Sequence, residues 1–135
     1  MAMALDPDQL DDDVLTFLRE RHLATLTTLR TDGSPHVVAV GFSYDADAKV
    51  ARVITWATSQ KAINADRMEA AGQRAAVCQV DGGRWLALEG RVRLVTDPTA
   101  VTAGIDGYAE RYQPPKQRDD RAVIEIDVDR ILGRG

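Results

Sequence analysis

Between residues 22 and 30 the chain alternates with a period of two: Leu23, Thr25, Thr27 and Leu29 against Ala24, Leu26 and Thr28. That period and its β-branched content predict a strand. Thr31-Asp32-Gly33-Ser34-Pro35 reads as a turn, with Asp-Gly the hairpin signal. Residues 36–44 predict the returning strand, and residues 50–56 a third after the polar turn at 45–49. The three runs together predict an antiparallel meander. Before them, Asp6-Pro7 predicts a helix start, and Leu10, Val14, Phe17 and Leu18 recur at helical spacing. The acid run Asp11-Asp12-Asp13 reads as a solvated face favourable to the helix dipole, and residues 1–5 as a loose start.

From Ser59 to Ala71 the chain lacks Pro and Gly, which predicts a second helix closed by Gly72. Residues 74–80 and 84–95 predict a hairpin about Asp81-Gly82-Gly83, with Gly90 as a bulge. Asp97-Pro98 opens a third helix that runs to about Tyr112, weakened by Gly104 and Gly107. A polar loop over 113–120, a strand over 122–128 and a short polar tail complete the chain. The expected fold is mainly β with flanking helices. About six antiparallel strands of this length curl and close into a small barrel with helices at its ends.

Composition narrows the chemistry. The 135 residues fit one domain (1–135), and 44% hydrophobic content makes it globular. A net charge of −4 with pI near 5.1 argues against a nucleic-acid surface. No apolar run suits a membrane span and no signal-peptide pattern opens the chain. A single cysteine, Cys78, excludes an internal disulfide and fits a reducing cytoplasm. It reads as a small buried hydrophobe. Two isolated histidines and that cysteine do not supply a metal site.

The stretch from Arg52 to Arg67 carries the candidate chemistry. Its strand half runs straight into a helix half, with Thr58 and Ser59 as capping types between them. A capped helix start presents free N–H groups and the positive end of the dipole, a place for an anion. Lys61 in the first turn is disfavoured there unless an anion neutralises it. Thr55, Ser59, Lys61, Asn64 and Arg67 thus read as a phosphate cradle; a surface helix start with solvated cations explains the same residue types. Ala39 and Gly41 are small enough to admit a flat ligand, although a bend at a barrel corner accounts for Gly41 more simply.

Four segments carry a resemblance: Arg21-His-Leu-Ala-Thr-Leu-Thr-Thr-Leu-Arg30, Ser34-Pro-His-Val-Val-Ala-Val-Gly-Phe42, Ser59-Gln-Lys-Ala-Ile-Asn-Ala-Asp-Arg67 and Trp85-Leu-Ala-Leu-Glu-Gly90. Through them the chain resembles the split β-barrel flavin and deazaflavin oxidoreductases, related to pyridoxamine 5′-phosphate oxidase. It looks closest to the F-420-dependent biliverdin reductases of actinobacteria. The resemblance implies a six-stranded antiparallel split barrel acting as a cytoplasmic homodimer, with coenzyme F-420 as cofactor and FMN as the alternative. It implies phosphate binding by Lys61 and Asn64, helped by Ser59 and Thr55; Arg67 joins them only through the cradle reading above. The coenzyme ring is implied to lie along Val38, Ala39 and Val40, with Pro35 and His36 at the near end. Gln79 and Trp85 are implied to approach from the opposite subunit.

For the acidic tail of the deazaflavin, Arg52, Arg67 and Arg30 are the candidate partners. The implied activity is hydride transfer from the reduced deazaflavin to a conjugated acceptor, biliverdin first, with no catalytic residue named. An FMN-dependent oxidase and a non-catalytic coenzyme-binding protein are the alternatives. His36 reads as a ring contact or a hydrogen-bonded strand end, and His22 as structural. Trp85 is read as stacking on substrate or filling the interface, and Trp56 as core or interface. Arg111 and Tyr112 either border the pocket or merely end a helix.

Overall fold

The structure is a computed structural model that describes residues 4–134. Its elements are β1 (Ala4–Leu5), α1 (Asp12–Arg19), β2 (Ala24–Leu29), β3 (Pro35–Val40), β4 (Ser43–Asp45) and β5 (Val50–Trp56), then α2 (Gln60–Ala71), β6 (Arg74–Asp81), β7 (Arg84–Val95), α3 (Pro98–Arg111) and β8 (Arg121–Arg134). The strands form one eight-stranded antiparallel sheet in the order β3-β2-β6-β7-β8-β5-β4, with β1 added to β8.

Two of these strands are additional to the six expected. The run 36–44 breaks at Gly41-Phe42 into β3 and β4, which lie at opposite ends of the sheet order. Both pairings of the expected meander are present, β2 with β3 and β4 with β5, but its middle strand is broken, and β5 pairs on its other side with β8. Two residues join the ends of the sheet, so it must curl, yet β3 and β4 do not pair and the barrel stays split. Gly41 sits at that corner, as the bend reading has it. A Cβ there would meet the rings of Tyr108 and Tyr112 at 3.0 Å, so its open side belongs to α3 and not to a ligand.

Other boundaries differ for local reasons. Asp6 folds into a turn that accepts the Asp8 amide, and α1 starts later, capped by Asp11, which accepts from Val14 N at 2.9 Å. The acid run is thus a cap plus first-turn dipole partners, more than a solvated face. Ala4 and Leu5 pair with Leu132 and Ile131, so they are not a loose start; residues 1–3 lie outside the described residues. The same pairing makes the expected polar tail the end of β8, with Ile131 fully buried. The termini of α2 agree with their reading: Ser59 accepts from Ala62 N, and Gly72 takes the left-handed conformation at φ 67°. The bulge at Gly90 is also present, where a Cβ would lie 1.7 Å from the Asp127 carbonyl oxygen.

The core gathers Phe17, Leu26, Phe42, Met68, Leu86, Leu88, Ile124, Ile126 and Ile131, all fully buried. Each such side chain contributes about 1.5–3 kcal/mol by leaving water. The third helix packs outside β4, β5 and β8. Its two glycines allow the approach, since a Cβ at Gly104 would lie 2.7 Å from Val123 and one at Gly107 2.4 Å from Ser43. The end of α3 then closes the seam. Arg111 donates to the carbonyls of Phe42 (2.9 Å) and Glu20 (2.7 Å), and Tyr112 Oη accepts from Phe42 N at 3.1 Å. Among the described residues, no helix is long and apolar enough to cross a membrane.

Candidate functional site

At the turn from β5 into α2, the hydroxyls of Thr55 and Ser59 lie 2.7 Å apart, both buried. Ser59 spends its oxygen on the cap, which leaves the amides of Gln60 and Lys61 without an intrahelical acceptor. Lys61 is half-buried beside them. Among the described residues it has no ion-pair partner, and burial lowers its pKa below the ordinary lysine value. A desolvated cation at the positive end of a helix is unfavourable by itself, which is the fit expected for an anion.

Asn64 and Arg67 organise the surroundings. Asn64 is fully buried; its amide donates to Thr28 Oγ1 at 3.1 Å and accepts from Gln60 Nε2 at 2.8 Å. Arg67 reaches Asn64 Oδ1 and Thr31 Oγ1, each at 3.4 Å, and donates to the Leu29 carbonyl. These bonds strap α2 onto the β2–β3 hairpin. Asn64 therefore supports the site from behind, and Lys61 with the free amides forms its open side.

Next to them lies a cavity of about 600 Å³ lined by Arg30, Thr31, Asp32, His36 and Gln60. Thr28 is paired with His36 across the strands, which ties the cavity to Asn64. His36 Nδ1 is buried without a partner. Pro35 begins β3 at the same end, and Arg30 donates to its carbonyl. The ring residues separate by strand alternation: Ala39 is exposed on the outer face, while Val38 and Val40 turn to the core. As the end of the sheet order, β3 keeps one backbone edge unpaired.

Gln79 and Trp85 lie elsewhere. Gln79 is fully buried; it donates to Phe17 O at 3.0 Å and accepts from Arg111 at 2.7 Å. Its side chain thus makes its hydrogen bonds inside the chain. Trp85 pairs with Val80 on the outer face. Arg52 is held by Glu125 at 3.0 Å and Asp45 at 3.4 Å, away from the cavity. Trp56, expected in the core or an interface, is 37% exposed with Lys61 and Arg118 over its ring. Sequence reasoning also missed Thr28 and Gln60. The helical spacing of Gln60 to Asn64 was the available signal for one, and the hairpin register opposite His36 for the other.

Fold and site together define a split β-barrel protein with a cationic helix start beside an open strand edge. The chain belongs to the pyridoxamine 5′-phosphate oxidase family, which its residues 10–135 match. It is 53% identical over 133 residues to an F-420-dependent biliverdin reductase of Mycobacterium tuberculosis (strain CDC 1551 / Oshkosh), covering 98% of this chain and 94% of that one. Among solved structures it resembles an F-420 reductase at 26% identity and a TM-score of 0.68, covering 90% of this chain and 98% of that chain. A conserved hypothetical protein of Mycobacterium tuberculosis shares the fold at 24% identity and a TM-score of 0.73, covering 91% and 82% of the two chains.

Proposed function

We propose that this protein is a reductase that uses reduced coenzyme F-420 to convert biliverdin to bilirubin. The observation that carries the reading is Lys61, half-buried and unpaired among the described residues at a capped helix start. Support for the coenzyme and the acceptor comes from the F-420-dependent biliverdin reductase, 53% identical over 98% of this chain. Lys61 and the amides of Gln60 and Lys61 hold the coenzyme phosphate, with Thr55, Ser59, Asn64 and Arg67 fixing their positions. The free edge of β3 and the exposed Ala39 border the ring. His36, with its unpartnered Nδ1, contacts the ring from the cavity. When bound, the reduced deazaflavin supplies the hydride, and a proton from solvent completes the reduction. The single cysteine agrees with a cytoplasmic place.

Stopped-flow recording of coenzyme oxidation tests the reaction. Oxidation of reduced F-420 is expected only when biliverdin is present, with no comparable turnover on NADPH. The chain has no strand–Gly-rich-turn–helix fingerprint for a dinucleotide. Equal rates with and without biliverdin would sink the bilin claim and favour coenzyme storage. Tight binding and turnover with FMN alone would instead favour the oxidase alternative.

The enzyme acts as a homodimer in this reading. Leu23, Val37 and Val80 are strongly exposed. Cross-strand register sets Ala39, Thr25, Cys78 and Ala87 in one row of the same outer face. Such a face of small and apolar residues suits a second copy, which would bring the partner's Trp85 toward the ring. Sedimentation is expected to give a dimer at micromolar concentration, and Val80→Glu to weaken it. A wild-type monomer with full activity would overturn the claim.

A further inference from the structure

The two cations over Trp56 are not equivalent. Arg118 lies 4.7 Å from the ring centroid, but its charge is already met by Asp120 through bonds of 2.9 and 3.1 Å. Lys61 Nζ lies 4.9 Å from the same centroid and has no acid partner among the described residues. Its first-turn position and its burial both oppose the charge, so the π face of Trp56 is the contact that favours it. The backbone that carries the indole is fixed. Trp56 is paired with Arg121 across the strands, its carbonyl accepts from Ser59 N at 3.1 Å, and Arg121 donates to the neighbouring Thr55 carbonyl at 3.3 Å. The flexible four-carbon stem of Lys61 thus meets a stiff ring at the end of β5, three residues before the cap of α2.

We propose that Trp56 is a positioning residue for the anion cradle: its ring face holds the Lys61 ammonium, charged and oriented, beside the start of α2. The claim rests on the phosphate-cradle reading given above. Without the ring, Lys61 samples more rotamers and must be ordered again when the anion arrives, which lowers affinity without touching the other contacts.

The test measures the affinity of F-420, followed by its fluorescence, and of inorganic phosphate, followed by thermal shift. Four proteins are compared with wild type: Trp56→Leu, Trp56→Phe, Lys61→Ala and the Leu/Ala double variant. Trp56→Leu is expected to weaken both ligands roughly three- to tenfold. Trp56→Phe, which restores an aromatic face, should recover affinity to within about twofold of wild type. In the Lys61→Ala background, the Leu change should have no further effect, since the ring then has no ammonium to hold. Unchanged affinity in Trp56→Leu overturns the proposal, as does a Phe variant no better than Leu, or an undiminished Leu effect without Lys61. Should Lys61→Ala itself bind as tightly as wild type, the cradle reading fails, a result distinct from failure of the positioning claim.

Discussion

Replacing Arg111 by Leu is expected to lower the unfolding free energy by about 3–5 kcal/mol, the cost of stripping one buried charged donor from several acceptors. Its guanidinium serves Glu20 O at 2.7 Å, Phe42 O at 2.9 Å, Phe17 O at 3.4 Å and Gln79 Oε1 at 2.7 Å. Those oxygens belong to the end of α1, to the seam between β3 and β4, and to β6. Water cannot easily replace the lost donor, because the residue is only 8% exposed. Urea unfolding should show a lower midpoint with an unchanged slope. Arg111→Lys keeps a charge but not the planar fork, so it is expected to recover at most about half of the loss. A midpoint shift no larger than that of an exposed-site variant would remove Arg111 from its role in closing the seam.

The second large effect falls on binding. Lys61→Ala should weaken F-420 roughly ten- to a hundredfold, the loss of one charge-assisted contact. The fold should persist: burial lowers the Lys61 pKa, so the charge itself adds no stability to the folded chain. The pH dependence follows the same sign. As pH rises through the lowered lysine value the cation is lost, so wild-type affinity should fall on the alkaline side. That limb should be absent from Lys61→Ala. Isothermal titration over a pH series reads both, and parallel pH profiles for the two proteins would contradict the assignment.

Most of the elements were legible because their signals are local. Ser59 and Gly72 bound α2 through the capping chemistry of their own side chain and backbone, and Gly90 announced its bulge in the same way. What escaped depended on distant partners. The break at Gly41-Phe42 is enforced by Tyr108, Arg111 and Tyr112, roughly seventy residues later in the chain, and no local pattern in residues 36–44 carries it. Gly104 and Gly107 looked like flaws in a helix, but serve a close helix–sheet approach that only the packed structure displays. At the site, the cradle positions came from the strand-to-helix transition itself. The support given by Thr28 to Asn64 spans 36 residues and needed the hairpin to be folded first. Of the two places expected for Trp56, its exposure removes the core; an aromatic on a strand has no sequence mark that separates burial from cation holding.

The place of β8 in the sheet has a consequence for how the molecule comes into being. It pairs with β1, β5 and β7, so it joins the two parts of the sheet, yet it follows all of them in sequence. During synthesis β5 and β7 therefore emerge each with one edge of unpaired N–H and C=O groups that β8 cannot cover until residues 121–134 leave the ribosome. Contacts of such long sequence separation form slowly. Until they do, the nascent chain presents two open strand edges, the surfaces on which misassembly between chains begins. Folding of this barrel is thus completed from its C-terminal strand backward, and the interval before that strand appears is when the chain is most exposed to aggregation.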